Sequence, residues 1–350
     1  MRPVSATDSV SLAIHRTRDF LFRPFSWGAY LKLGLVAIIT EGIGTNLRSS
    51  SKGSQSSGNG HGPMVYSPFD LPWAKIAVAA AVFLLVALIA MWLFYLVTRL
   101  RFAFFHCLIH NTKEIRPGWH IYRAPATRFF WMNVGVGFFF LAVLAALAYP
   151  FVSGFLRLFR ETPPGGHPNI MSLLALVLPL IPIILLMALL GFLADLILRD
   201  LMMPHYALDN ATAGEAWAAV WWAINAEKRQ FFVYVVLRVV LPTVAMVGLF
   251  VIFLVPGLIL AGSIGAIEYA IHQSFAVSTG ASATVGVMLQ VFFGALAFFF
   301  FLLASICLGG PVSTGVREYA LTFYGGRYPA LGDILYPAAA GQMAQPGSQA

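Results

Sequence analysis

Charged side chains are scarce in this sequence. Only 10% of its 350 residues are Asp, Glu, Lys or Arg, and only two are cysteines, whereas soluble domains carry about 25% charged residues. The low charge argues against an ordinary soluble protein, and two cysteines cannot form the disulfide framework of a small secreted one. Long apolar runs take the place of charge: Ile76–Val97 holds no charged residue over 22 positions.

These runs predict a polytopic membrane protein, because roughly 20 apolar residues at about 1.5 Å each cross a hydrocarbon layer about 30 Å thick. The runs are continuous rather than alternating, which favours helices over a β-barrel. The predicted fold class is therefore all-α, with about six transmembrane helices and interfacial amphipathic helices. The expected spans are Trp27–Ile43, Trp73–Val97, Phe129–Tyr149, Ile170–Leu198, Phe231–Leu258 and Thr284–Leu308.

We expect one helical membrane domain over residues 1–335. Residues 45–70 contain a Ser- and Gly-rich tract, and residues 336–350 are rich in Ala, Gly and Gln. Neither segment can bury enough apolar surface to become ordered. The first is therefore predicted to be a flexible extracytoplasmic loop and the second a disordered tail.

Lys and Arg residues are distributed unequally among the predicted connections. The two tails and the 98–128 and 199–230 loops together hold 15, whereas the other three loops, counted with the helix-entry residue Lys75, hold five. Because cytoplasmic loops carry the excess of positive charge, we expect both termini to be cytoplasmic in a multi-pass protein of a cell membrane. The spread of basic residues over several loops predicts a lipid bilayer as partner and argues against nucleic acid.

Two segments are predicted to form amphipathic helices at the membrane interface. On a helix over Val10–Leu21, apolar side chains share one face, and charged side chains such as Arg16 and Asp19 lie opposite. Gly214–Glu227 places Trp217 and Trp221 on one stripe with Val220 and Ile224. Aromatic, partly basic helices of this kind lie in the headgroup region.

Three cytoplasmic segments resemble one another. FFHCLIHNT at Phe104–Thr112 is similar to MPHYALDNAT at Met203–Thr212, and YAL recurs at Tyr319–Leu321. Their spacing of about one hundred residues is enough for one amphipathic segment and one helical hairpin, which suggests three repeated hairpins. The alternative is that each loop between hairpins acquires interfacial aromatic and basic residues independently.

Three ionisable residues near the membrane are candidates for an intramembrane ion pair. Asp195 and Asp200 lie near the inner end of the fourth span, and Arg238 lies inside the fifth. Buried ionisable groups are costly and usually pair or line a polar cavity. An Asp195–Arg238 or Asp200–Arg238 pair would hold two helices together. The alternative is that these residues form part of a solute or proton path. Lys32 and Glu41, near the ends of the first span, are expected to reach water.

The sequence gives little support for a metal site or a catalytic site. His106 and His110 are four residues apart and would share a helix face, but the metalloprotease pattern requires a glutamate where Cys107 stands. The sequence holds no P-loop and no G-x-S-x-G motif. We therefore expect no metal, no cofactor and no enzymatic activity.

Short motifs along the chain resemble a known group of proteins. The run DFLFRPFSWGAYLKLGL, the segment LRDLMMPHYAL and the closing YALTFYGGRYP resemble an uncharacterised prokaryotic multi-pass membrane family. That family is distantly similar to the membrane domain attached to some glycerophosphoryl diester phosphodiesterases. The resemblance implies a helical fold in a prokaryotic cytoplasmic (inner) membrane, and it carries over no catalytic residue.

The favoured function is that of a non-enzymatic envelope scaffold or a component that binds another membrane protein, because packing and interfacial anchoring account for most residues. The alternative is a transporter of a small solute or lipid. It is motivated by Asp195, Arg238 and four prolines in the fourth and fifth spans: Pro179, Pro182, Pro242 and Pro256. An enzyme acting on lipid ranks third.

Overall fold

A computed structural model describes residues 4–46, 73–161, 170–275 and 281–336, and within these ranges it is helical, without strands. A π-helical segment, Ile197–Met202, lies between the seventh and eighth helices. The α-helices are α1 (Asp8–Phe22), α2 (Trp27–Asn46), α3 (Trp73–Ile109), α4 (Ile115–Ile121), α5 (Arg123–Glu161), α6 (Ile170–Val177), α7 (Leu180–Leu196), α8 (Met203–Leu208), α9 (Ala213–Ala226), α10 (Lys228–Phe275), α11 (Ala281–Gly325) and α12 (Pro329–Leu335).

Five helical stretches are long and apolar enough to cross a membrane, which agrees with a multi-pass membrane protein. They are Ala77–Ile109, Arg123–Leu158, Leu173–Leu208, Lys228–Phe275 and Thr284–Gly325. The prediction of an all-helical fold is confirmed, and α2, the first expected span, is a helix of 20 residues. A membrane crossing by α2, and hence a total of six spans, stays a prediction.

The long helices extend well beyond the thickness of a bilayer. With 48 residues, α10 is about 72 Å long at about 1.5 Å per residue. In α3 and α11, one part of the helix has exposed apolar side chains and the other part packs inside the protein. Phe83 in α3 and Phe298 in α11 are exposed, whereas Phe102 and Phe323, further along the same helices, are fully buried. The exposed halves suit lipid contact.

By their internal contacts the described elements form two compact units, Met1–His120 with Glu227–Ala350 and Ile121–Ala226. In the first unit, α11 packs against α1, α2, α10 and α12. Aromatic stacking holds its buried half, with the Tyr234 and Phe323 rings 4.4 Å apart and the Tyr234 and Tyr319 rings 5.4 Å apart. The predicted single domain over 1–335 stays a prediction.

In the second unit, α5 packs against α6, α7 and α8. The Phe129 and Tyr206 rings meet edge to face at 5.4 Å, and the Tyr206 hydroxyl lies 3.1 Å from the Met132 sulfur. The predicted fourth span is interrupted near Pro179, since α6 ends at Val177 and α7 begins at Leu180. By contrast, α10 remains helical through Pro242 and Pro256.

Two of the similar segments end their helices in the same way. Asn111 follows α3 with φ of 52°, and Asn210 follows α8 with φ of 56°. Asparagine tolerates this left-handed conformation, which closes many helix C-termini. Each asparagine stands five residues after a histidine, His106 or His205. The threefold repeat itself stays a prediction.

Both expected amphipathic helices are present, as α1 and α9. In α1 the buried residues include Ala13, Thr17 and Phe20. In α9, Val220 is buried, whereas Trp217 and Trp221 stack on each other and remain exposed. Exposed tryptophans of this kind sit at the headgroup level of a membrane.

A reciprocal cap begins α9. The Thr212 backbone N–H donates to the Glu215 carboxylate at 2.8 Å, and the Glu215 N–H donates to the Thr212 hydroxyl at 3.4 Å. Hydrogen bonding of the carboxylate by Thr212, first of all by its backbone N–H, lowers the pKa of Glu215. The cap fixes the start of the tryptophan-bearing helix.

Two predictions concern chain segments that lie largely outside the described residues. They are the flexible extracytoplasmic loop at 45–70 and the disordered tail at 336–350. Both stay predictions.

Replacement of Gly310 by Ala should destabilise the first unit. A Cβ at Gly310 would lie 2.7 Å from the Gly34 Cα, where α2 and α11 cross backbone to backbone. We expect a loss of about 1–3 kcal/mol, the usual cost of overpacking. Thermal unfolding in detergent measures it.

Gly248→Ala is the matched control, because a Cβ there meets nothing within 4 Å and alanine favours a helix by about 1 kcal/mol over glycine. The close crossing would be contradicted if Gly310→Ala, like Gly248→Ala, melted at or above the melting temperature of the wild type.

Candidate functional site

The predicted site residue Arg238 is buried in α10 and pairs with Glu41 of α2. The Arg238 Nη2 lies 3.0 Å from the Glu41 Oε2, and the two side chains are only 6% and 7% exposed. The expectation that Glu41 reaches water is therefore wrong, because α2 brings this carboxylate against α10. The pair joins residues 197 positions apart in the sequence.

A second arginine binds the same corner of α2. The Arg101 Nε, from α3, donates to the Thr40 carbonyl at 3.1 Å, and Arg101 is itself buried. Thr40 also donates its hydroxyl to the Val36 carbonyl at 2.8 Å. The Thr40–Glu41 corner is thus held by arginines from two different helices.

In the second unit, Asp195 and Asp200 flank Arg199. The Arg199 Nε lies 3.6 Å from the Asp200 Oδ1, and its Nη1 lies 3.9 Å from the Asp195 Oδ2. Asp200 is fully buried within the π-helical segment, whereas Asp195 is partly exposed. The sequence carried a signal for this cluster, since Asp195 and Arg199 are four residues apart on one helix face. The predicted pairing of either aspartate with Arg238 stays a prediction.

A polar cavity of about 470 Å³ lies among α1, α11, α12 and the end of α3. At its wall the Arg16 Nε donates to the Glu318 Oε2 at 3.1 Å, and Glu318 is almost completely buried. The Arg16 Nη1 also donates to the Leu335 carbonyl at 3.0 Å, which secures α12. Sequence reasoning placed Arg16 on the charged face of α1, but it did not find its partner.

Burial also affects Tyr336, which follows α12. Its hydroxyl donates to the Thr322 carbonyl at 3.3 Å. Desolvation raises the pKa of Tyr336, while the nearby Arg16 lowers it. The phenol therefore stays protonated at neutral pH and continues to donate this hydrogen bond.

The C-terminal motif YALTFYGGRYP forms a further junction. The Arg327 Nη2 lies 2.6 Å from the Glu227 Oε2, and the Arg327 Nη1 donates to the Val4 carbonyl at 3.1 Å. The guanidinium carbon also lies 4.0 Å from the Phe323 ring centroid, within cation–π range. This one side chain joins the N-terminal segment to the start of α10 and the end of α11.

The histidines in the described ranges belong to no metal-binding cluster. His106 and His110 have ring centroids 4.5 Å apart, as their spacing predicts, and the His205 Nδ1 lies 3.4 Å from the Asp209 Oδ2. Within the part of the chain that the structure describes, no group of three or more His, Cys, Asp or Glu side chains could hold a metal ion. The expectation of no metal and no cofactor stays a prediction.

Three opposite-charge pairs in the first unit share one property: each joins segments that are far apart in the sequence. Arg238–Glu41, Arg16–Glu318 and Arg327–Glu227 connect residues that are 100 to 302 positions apart. Each pair has at least one buried side chain, and truncation of the other member removes this contact from a buried charge, which is costly. The arrangement is suited to holding helix ends in place.

A family model matches most of the chain. The model of a family of unknown function, DUF7544, matches residues 4–334. No curated protein and no solved structure matches the chain. No link to the glycerophosphoryl diester phosphodiesterases is shown.

Loss of the Arg238–Glu41 pair should destabilise the protein. Arg238→Ala leaves Glu41 without this partner, and we expect a loss of about 3–5 kcal/mol, or less where neighbours rearrange. Glu41→Ala with Arg238→Ala should recover part of that loss, since no lone charge then remains. Unfolding in detergent of the wild type and the three variants measures the coupling.

The same cycle with Asp195→Ala or Asp200→Ala tests the pairing predicted from the sequence. Additive effects of Glu41→Ala and Arg238→Ala would contradict the pair seen here.

Proposed function

The chain belongs to the DUF7544 family, whose function is unknown, and we propose that it is a non-enzymatic scaffold that binds another protein within a cell membrane. The observation that supports the proposal is that ion pairs with buried members join separate segments of the first unit. These pairs are Arg238–Glu41, Arg16–Glu318 and Arg327–Glu227. Helix ends that are joined by ion pairs, on helices whose remaining length is exposed and apolar, suit a scaffold.

A large apolar groove supports partner binding. It lies between the lipid-facing halves of α10 and α11 and has a volume of about 780 Å³. Phe250 and Phe253 line one side, and the small residues Gly257 and Ser305 are also in its lining. Helices in membranes associate by close packing over such small residues. We propose this groove as the place where a transmembrane helix of the partner docks.

We further propose that both termini face the cytoplasm of a prokaryotic cell and that the protein resides in its inner membrane. The support is the excess of Lys and Arg in the tails and in the 98–128 and 199–230 segments. Exposed Trp217 and Trp221 lie within the second of these segments, as expected near a membrane surface.

Cysteine labelling in intact cells tests the orientation. In a cysteine-free background, Glu114→Cys and Gly214→Cys should resist a membrane-impermeant maleimide until the cells are lysed, because both exposed positions are assigned to the cytoplasm. Gly58→Cys and Gly165→Cys, in the loops predicted to be outside, should react at once. Labelling of Glu114→Cys or Gly214→Cys in intact cells would reverse the orientation.

Photo-crosslinking tests the scaffold. With benzoylphenylalanine in place of Phe250, which lines the groove, we expect one crosslinked protein of defined mass in native membranes. The matched control is the same label at Val251, which is exposed to lipid but absent from the groove lining. It should give mainly lipid adducts. Equal protein yields at both positions, or none at either, would contradict a specific docking groove.

The cavity beside Arg16 and Glu318 favours a second candidate, a transporter of a small solute or lipid. A buried carboxylate beside an open polar space is a common element of proton and solute paths. Purified protein in liposomes distinguishes the two functions. The scaffold predicts no movement of fluorescent phospholipid or protons above that of empty liposomes. Transport would be established by movement of phospholipid or protons in the wild type that is lost in Glu318→Gln. The crosslink at Phe250 should persist in that variant, which shows that its fold is intact.

A further inference from the structure

A second apolar groove lies beneath the amphipathic helix α1. Its volume is about 360 Å³, and its walls come from α1, α10 and α11. Ala13 and Ile14 line it from α1, Leu241 and Ala245 from α10, and Val312 from α11. The volume falls within the range of about 300–1,000 Å³ typical of small-molecule sites. A helix is about 10–12 Å wide, so the space suits a narrow chain better than another helix.

Two buried hydroxyl groups in the lining of this groove have no hydrogen-bond partner among the described residues. They are the Thr17 Oγ1 and the Tyr319 hydroxyl. Thr17 is 7% exposed and Tyr319 only 1%. Buried polar groups in proteins are nearly always hydrogen-bonded, so two orphans in one apolar groove need an explanation.

Other residues of the same types in this chain show what Thr17 and Tyr319 lack. Thr40 and Thr314 each donate to the carbonyl four residues earlier in their helix. The Tyr30 hydroxyl donates to the Cys307 carbonyl at 2.6 Å. Among the described residues, Thr17 and Tyr319 make no such bond, although both residues belong to the lining of the groove.

A basic residue stands at the edge of the groove. Arg18 is part of its lining, and its side chain is half-exposed. The Arg18 Nε lies 3.6 Å from the Asp19 Oδ1, which uses only part of its five-donor guanidinium. An exposed guanidinium of this kind suits a phosphate oxygen.

The groove is continuous with the lipid-facing surface. Val240 and Val244, beside the lining residues Leu241 and Ala245 on α10, are exposed and apolar. A molecule already dissolved in the bilayer can therefore enter from the side. Lipid supplies an apolar chain, an ester carbonyl that accepts hydrogen bonds and a phosphate.

We propose that this groove binds one anionic phospholipid. One acyl chain lies between α1, α10 and α11, the ester region accepts hydrogen bonds from Thr17 and Tyr319, and the phosphate lies on Arg18. The site goes beyond the scaffold function and does not depend on it.

Native mass spectrometry of the full chain in detergent tests the site, with dioleoylphosphatidylglycerol as the probe. Wild-type protein should retain one lipid. Tyr319→Phe and Thr17→Val keep the side-chain shape and remove the hydroxyl, so each should weaken binding about fivefold, the scale of one hydrogen bond. Arg18→Gln should reduce the preference for phosphatidylglycerol over phosphatidylcholine.

Ala245→Phe should block the acyl chain and weaken binding about tenfold or more, since it fills the groove. Val244→Phe is its matched control, because this neighbour is exposed and does not line the groove. It should bind lipid within about twofold of wild type.

The melting temperature of lipid-free protein separates binding from folding. Tyr319→Phe should leave it unchanged or raise it, because the hydroxyl makes no hydrogen bond within the described protein. Wild-type affinity in both Tyr319→Phe and Thr17→Val would overturn the proposal. Equal effects of Ala245→Phe and Val244→Phe on lipid binding would also overturn the proposal. So would the finding that the protein binds oleate but not phosphatidylglycerol.

Discussion

The pairing of buried charges across helix ends is the constraint on which the first unit depends. Its long helices expose apolar side chains along part of their length. Where they pack together, they bury charged residues, which need partners. Arg238 meets Glu41, Arg16 meets Glu318, and Arg327 meets Glu227. Because a charge left unpaired in such a place is strongly destabilising, these contacts restrict which helices can lie together and in which register.

Apolar composition is enough to predict the class of the protein and most of its helices. The uncharged run in α3 and the aromatic run in α11 can be recognised without any partner. The sequence does not show where a helix stops facing lipid. Apolar residues continue into the buried half, where Phe102 and Phe323 contact protein, and hydropathy gives both environments the same value. These helices therefore extend past their predicted ends, α3 to Ile109 and α11 to Gly325.

The partners of charged residues were harder to predict for a related reason. Arg199 and Asp195 lie one helical turn apart, so local spacing could have identified them. Glu41 and Arg238 are 197 positions apart, and their contact depends on the close crossing of α2 with α11 at Gly34 and Gly310. Such a crossing is a property of the packed bundle. The amphipathic pattern of α1 predicted its helix, but the cavity beneath it arises only when α10 and α11 are in place.

Along α3 and α11, exposed apolar side chains suited to lipid give way to side chains packed inside the protein. Spin labels placed along α11 in liposomes test this change most directly. Labels at Phe292 and Phe298 should be accessible to oxygen, a probe that concentrates in lipid, because both side chains are exposed. Labels at Ala320 and Thr322 should be shielded from oxygen and from a water-soluble nickel reagent, since both residues are buried. Access of the nickel reagent to these last two positions would contradict the packed half and indicate a water-filled path instead.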